Sequence, residues 1–255
     1  MKLFKTLAVH MRQMLSWPFI AVSLGICATY LMSGLGYALQ ASPDAISAAV
    51  FATFGGTTYY TIYILPSFAY SMTFAREWQE RASMYWIIRS GITNYAISKV
   101  FVSALAGFLS HFLGLSLFIG GICIKLPLYA ETTTSSIYVT GLMEQGHVFS
   151  GAVCYIMDVS SAAALAAALG MSISFLFPNS YVALAAPLGL MLLISRITDY
   201  LSVLPLFNPG NWASSIDTAG SPEMALSYKL CLVIIMLSIY SLIAVKELKR
   251  RVVNA

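Results

Sequence analysis

The polar residues best suited to chemistry lie within otherwise apolar stretches of this 255-residue chain. Asp158 is the one carboxylate that we place in or near the interior of a predicted membrane-crossing segment. An acid at that depth indicates a functional site by default, but a place near the outer end of the fourth predicted span slightly favours a structural role. Paired with His111, Asp158 would suit an intramembrane enzyme, but no motif supports that pairing.

A second group of polar side chains carries hydroxyls along one apolar stretch. Thr53, Thr57 and Thr61 recur every four residues and so share one face of a helix. Hydroxyls that face lipid would lack hydrogen-bond partners. Two interpretations stay equal: hydrogen bonds between helices, and a substrate pathway for an amphipathic molecule. The predicted pathway residues are Thr53, Thr57, Tyr60, Thr61, Tyr63 and Asp158.

The sequence lacks the common motifs that bind nucleotide phosphates, that bind a catalytic metal ion or that carry a serine nucleophile for acyl transfer. The histidines His10, His111 and His147 fall in different predicted segments, so they do not predict a metal site. The four cysteines form no Cys-x-x-Cys pair and are predicted to be free thiols, with a Cys123–Cys154 disulfide as the less favoured alternative. We therefore expect no enzyme activity and no cofactor in this chain.

Composition predicts an all-α integral membrane protein. Hydrophobic residues make up 59% of the chain and charged residues only 9%, whereas soluble domains carry about 25% charged residues. The net charge of +4, with no basic stripe between aromatics, gives no indication of nucleic-acid binding. We expect residues 1–255 to form a single transmembrane domain in the cell membrane.

Long stretches without charge locate the membrane spans. No Asp, Glu, Lys or Arg occurs in residues 13–43, 45–75, 100–124 and 159–195. A helix crosses the hydrocarbon core with about 20 residues, so the last stretch holds two helices, divided at the turn signal 177–180. The six predicted spans are 17–38, 49–72, 100–122, 153–176, 181–199 and 224–245.

The placement of basic residues predicts the orientation. Most of the 14 Lys and Arg residues fall in segments 1–16, 73–99 and 246–251, which are then cytoplasmic. Both termini are predicted to be cytoplasmic, with segments 123–150 and 200–222 outside. Apolar residues in 1–16 recur at helical spacing, which favours an interfacial amphipathic helix over a simple charged flank.

The charged segment 74–98, between predicted spans two and three, is the most informative part of the sequence. Glu77 and Arg81 are four residues apart and can pair on one helix face. An apolar cluster at 84–88 follows, then a break at Ser90-Gly91, and then a helical pattern that leads to Lys99. A helix, a break and a second helix suit docking on a partner, although most such charge runs are simply solvated.

This segment resembles the loop between spans two and three of type-2 ABC export permeases. Members of that family show an acidic residue, a small residue, an apolar stretch, a break and a Tyr-x-x-Ser/Gly-Lys ending. This chain departs mildly, with Arg81-Ala82-Ser83 where Gly-Thr is common and Gly91-Ile92 where Pro often follows the break. The matching residues are Glu77, Ala82-Ser83, Ile87-Ile88, Ser90-Gly91 and Tyr95-Ala96-Ile97-Ser98-Lys99.

The resemblance implies that residues 74–90 form a coupling helix in the groove of a separate ATP-binding subunit, which holds the ATP and Mg²⁺. It also implies a second permease copy or a paralogue, and export of an amphipathic peptide, toxin or drug across the bacterial cytoplasmic membrane. Phenol-soluble modulin and bacteriocin-immunity exporters are the related systems. An ion- or proton-coupled carrier is the alternative, beside the intramembrane enzyme. The implied coupling residues are Glu77, Glu80, Arg81, Met84 and Tyr85.

Overall fold

Apolar segments in a bilayer must satisfy their backbone hydrogen bonds internally, and helices do so within one segment. The computed structural model describes residues 2–33, 42–54, 58–130, 140–201 and 222–253. All regular structure in these ranges is helical, which confirms the predicted all-α class. The helices are α1 (Lys2–Met14), α2 (Trp17–Ser33), α3 (Ala45–Phe54), α4 (Thr58–Tyr70), α5 (Thr73–Gln79), α6 (Ala82–Ser90), α7 (Ile92–Ile122), α8 (Thr140–Glu144), α9 (Val148–Leu176), α10 (Ser180–Leu201) and α11 (Pro222–Val253).

Four of the described helices are long and apolar enough to cross a membrane: α7, α9, α10 and α11. A fifth candidate is the pair α1–α2, whose axes are bent by 57°. This bend is compatible with α1 lying along the membrane surface while α2 crosses it. The predicted second span corresponds to α3 and α4, with residues 55–57 outside the described part. Six spans and cytoplasmic termini stay predictions.

The centre of the bundle is the pairing of α7 with α9. Helix α9 contains the Ala-rich stretch 162–168 and is buried on most of its surface. At Gly107 in α7, an added Cβ would lie 2.6 Å from the Ala167 Cβ and 2.8 Å from the Ala163 carbonyl oxygen. Small residues thus let the two backbones approach closely, which is how membrane helices gain packing energy without a hydrophobic driving force.

The periphery is formed by α10 and α11, both of which are mostly exposed. Leucine and isoleucine side chains such as Ile234 and Leu242 point outward from α11. Because acyl chains are as apolar as these side chains, this surface suits contact with lipid or with another membrane subunit.

Candidate functional site

The segment between α4 and α7 folds as two short helices, α5 and α6. The break predicted at Ser90-Gly91 is present, with Gly91 at φ 85°. An additional break divides the predicted 74–90 helix at Glu80-Arg81, where Arg81 adopts φ 59°. The left-handed conformation costs a non-glycine residue about 1 kcal/mol. The prediction of one helix was wrong because neither Gly nor Pro marks this position in the sequence.

Glu77 in α5 is held by two residues of α7. Its carboxylate lies 2.6 Å from the Lys99 Nζ and accepts a hydrogen bond of 2.5 Å from the Tyr95 hydroxyl. Lys99 is fully buried and also donates to the Thr73 hydroxyl at 3.2 Å. Thus Glu77 fastens α5 to α7, where the sequence had suggested pairing with Arg81 and contact with a partner.

The Tyr95-to-Lys99 spacing explains why a sequence could specify this contact. These residues are four apart, so they share one face of α7, and that face meets Glu77. The sequence analysis placed Glu77 and the Tyr95-to-Lys99 ending in one motif, but it did not predict that these residues contact each other. This contact could not be predicted because Glu77 and Lys99 are far apart along the chain. Only the turn of the backbone through α6 brings α5 beside α7.

The remaining predicted coupling residues form an exposed surface. Tyr85 and Ile88 in α6 are 75% and 82% exposed, whereas Ser83 and Ile87 on the opposite side of the helix are buried. Ile88 belongs to this surface, although the sequence-based set omitted it. We define the docking face as Glu80, Arg81, Met84, Tyr85 and Ile88, all of them exposed.

Other helices brace the segment from within the bundle. The Gln79 side-chain amide donates to the Pro178 carbonyl at 3.2 Å, in the turn between α9 and α10. Near the end of α11, the Arg251 guanidinium donates to the Phe175 carbonyl at 2.8 Å and lies 5.7 Å from the Trp78 ring. Arg251 therefore satisfies a carbonyl at the end of α9 while it contacts α5.

Helix α1 also contacts the segment. The His10 ring is buried and lies 5.9 Å from the Trp86 ring of α6 and 5.7 Å from the Tyr95 ring of α7. Burial, with a smaller contribution from the nearby Lys99 ammonium, lowers the pKa of His10 to about 4. The ring is therefore neutral at pH 7, and its Nδ1 lies 3.0 Å from the Gln13 amide oxygen.

Thr53, from the predicted substrate pathway, belongs to a buried chain of hydrogen bonds. Its hydroxyl lies 3.4 Å from the Tyr30 hydroxyl and 3.2 Å from the Tyr155 hydroxyl. Tyr30 then contacts His111 Nε2 at 3.4 Å, and His111 Nδ1 contacts the Ser160 hydroxyl at 3.2 Å. Tyr155 and Ser160 both belong to α9, so this chain of contacts begins and ends on the same helix. For Thr53, this geometry favours hydrogen bonding between helices over exposure to a pathway.

Asp158 forms a buried ion pair across two helices. Its carboxylate in α9 lies 2.6 Å from the Lys229 Nζ in α11, and Lys229 is only 7% exposed. The sequence does not predict this pair, because residue type alone does not show that a cation has a partner elsewhere in the bundle. The pairing of Asp158 with Lys229, and of His111 with Ser160, favours a structural role for Asp158.

The other pathway residues do not converge on one place. Tyr60 is 47% exposed, whereas Tyr63 on the same helix is buried. Thr61 donates to the Thr58 carbonyl at 2.8 Å, within its own helix. Thr57 lies outside the described residues. Among the described part of this set, Tyr60 is the residue best placed to meet a guest molecule.

The described residues contain no group of three His, Cys, Asp or Glu side chains that could hold a metal ion. The four cysteines are free thiols, as predicted. Comparisons with protein-family models, curated proteins and solved structures find no match to this chain.

Proposed function

We propose that this chain is the membrane-spanning subunit of an ATP-driven exporter and that the docking face receives force from a separate ATP-binding subunit. The observation that carries the proposal is an exposed apolar surface, formed by Met84, Tyr85 and Ile88, beside the charges of Glu80 and Arg81. Exposed apolar surface with a polar rim is typical of sites that contact a partner protein or a membrane.

The bracing behind the docking face supports transmission of force. A helix attached only weakly to the bundle would move without displacing the other helices. Helices α5 and α6 are instead held to the bundle by side-chain contacts. Glu77 ties α5 to α7, Gln79 reaches the α9–α10 turn and Arg251 reaches α5 from α11. Displacement of the docking face would therefore tilt several helices together, as alternating access requires.

The proposed substrate is an amphipathic peptide, toxin or drug, and the proposed assembly holds two membrane subunits. Tyr60 offers an exposed aromatic ring with a hydroxyl on α4. The mostly exposed helices α10 and α11 offer apolar surface to a second copy or a paralogue. In this assembly the chain supplies the pathway, and the hydrolysis of ATP takes place in its partner.

The test is co-expression of the chain with a candidate ATP-binding subunit, and one encoded by a neighbouring gene would be the first choice. Tyr85→Arg places a charge in the apolar part of the docking face and is expected to reduce co-purification of that subunit at least tenfold. The matched control is Tyr200→Arg, because Tyr200 is 89% exposed and lies near the end of α10. Equal retention by both variants would contradict the proposed face, and no retention by the unmodified chain would contradict the exporter.

A further inference from the structure

A groove between α1 and α6 combines two basic side chains with an indole. Its volume is about 330 Å³, at the lower end of the usual range for small-molecule sites. One wall comes from the amphipathic helix and the other from the helix that carries the docking face. The lining residues are Lys5, Thr6, Val9, Trp86, Arg89 and Ser90.

The charge of this groove is not balanced by its own lining. Lys5 and Arg89 are both exposed, and no Asp or Glu is among the lining residues. Within the described ranges, the ion pairs use other cations, namely Lys99, Lys229 and Arg250. Two neighbouring cations without a carboxylate between them favour an anionic ligand.

The position of the groove indicates where that anion comes from. Exposed apolar side chains flank it on α1 and just beyond, including Phe4, Leu15 and Trp17 at 75%, 67% and 74% exposure. Such side chains suit the boundary between headgroups and acyl chains. Trp86 is half-buried in the groove wall, and tryptophan is enriched at that depth. Lipid phosphate is the most abundant anion there.

We propose that this groove binds the headgroup of an anionic phospholipid in the leaflet on which α1 lies. Lys5 and Arg89 would contact the headgroup from opposite walls, and Val9 would face the start of an acyl chain. Basic pockets beside membrane helices bind acidic headgroups in this manner. A bound lipid would join α1 to α6 and so steady the docking face. The binding itself depends only on the membrane location, not on the exporter proposal.

The experiment titrates the full detergent-purified chain, without an ATP-binding subunit, with phosphatidylglycerol and with phosphatidylcholine of the same acyl chains. Native mass spectrometry counts the retained lipid. The Lys5→Gln/Arg89→Gln variant is expected to bind phosphatidylglycerol about tenfold more weakly or worse, since each basic residue contributes appreciably at an anionic surface. The control, Arg12→Gln/Lys246→Gln, removes two exposed charges outside the groove and is expected to change binding by about twofold or less.

Three results would overturn the proposal. Equal losses in both double variants would indicate diffuse attraction, and equal binding of the two lipids would remove the charge selectivity. Displacement of phosphatidylglycerol by inorganic phosphate at matched concentration would assign the groove to free phosphate. If the groove variant unfolds, single Lys5→Gln replaces it, with about threefold weaker binding expected at this exposed site. Unchanged binding in that variant would count equally against the lipid.

Discussion

At the scale of single residues, three polar side chains show how the polar groups of the bundle are used. The sequence suggests contact with a partner subunit for Glu77, and it leaves a substrate pathway and a structural role open for Thr53 and Asp158. In the structure, Glu77 forms an ion pair with Lys99, and Asp158 forms one with Lys229. Thr53 hydrogen-bonds to Tyr155. Each of these side chains thus has its partner within the subunit. External contacts are therefore expected at Tyr60 and at the docking face.

The Glu77–Lys99 pair is expected to be a stability determinant. Glu77→Gln leaves a fully buried ammonium without its carboxylate, and removing one partner of a buried pair costs about 3 kcal/mol or more. A matched control is Glu80→Gln, because Glu80 is the neighbouring exposed acid. Thermal unfolding in detergent measures both. A similar midpoint for the two variants would show that Lys99 gains nothing from Glu77.

The Asp158–Lys229 pair separates the exporter from an ion-coupled carrier. If the pair is structural, replacing one partner destabilises the fold, while Asp158→Leu/Lys229→Met recovers most of the loss because well-packed apolar pairs replace buried ion pairs. The double variant is then expected to retain the ATPase activity of the complex. A folded double variant that lacks this activity would contradict the purely structural role of Asp158.

At the scale of helices, close packing by small residues sets the geometry of the bundle. The hydroxyls of Ser71 and Ser103 both donate to the Ala167 carbonyl, at 2.8 and 2.9 Å, where α7, α9 and the end of α4 meet. The Ser103 contact would not form if a larger side chain separated α7 from α9. Gly107 therefore fixes a spacing that the polar contacts around it require.

Gly107→Ala tests this spacing. The new methyl group would meet the Ala163 carbonyl oxygen and the Ala167 Cβ within 3 Å, and overpacking of this kind costs about 1–3 kcal/mol. Gly120→Ala in the same helix is the control, because nothing lies within 4 Å of its added Cβ. Unfolding midpoints that shift by the same amount in both variants would contradict the tight α7–α9 contact.

At the scale of the whole molecule, one end of the bundle is organised around the docking face. Helices α1, α5, α6 and α7 meet there, and Arg251 brings the end of α11 to the same place. Packing of several elements behind one exposed surface is what a subunit that receives mechanical force needs. A lipid bound in the groove at its edge would allow the membrane to influence the same face.

The all-α class, the long apolar helices and the charged segment that contains α5 and α6 could be predicted from the sequence alone. Those features follow from hydropathy, charge-free length and helical spacing, which are local properties of the chain. The partners of Glu77, Asp158 and Thr53 could be identified only from the folded structure. The same is true of the break at Arg81. Contacts between distant residues depend on which helices pack together, and a buried polar group takes whichever partner that packing supplies.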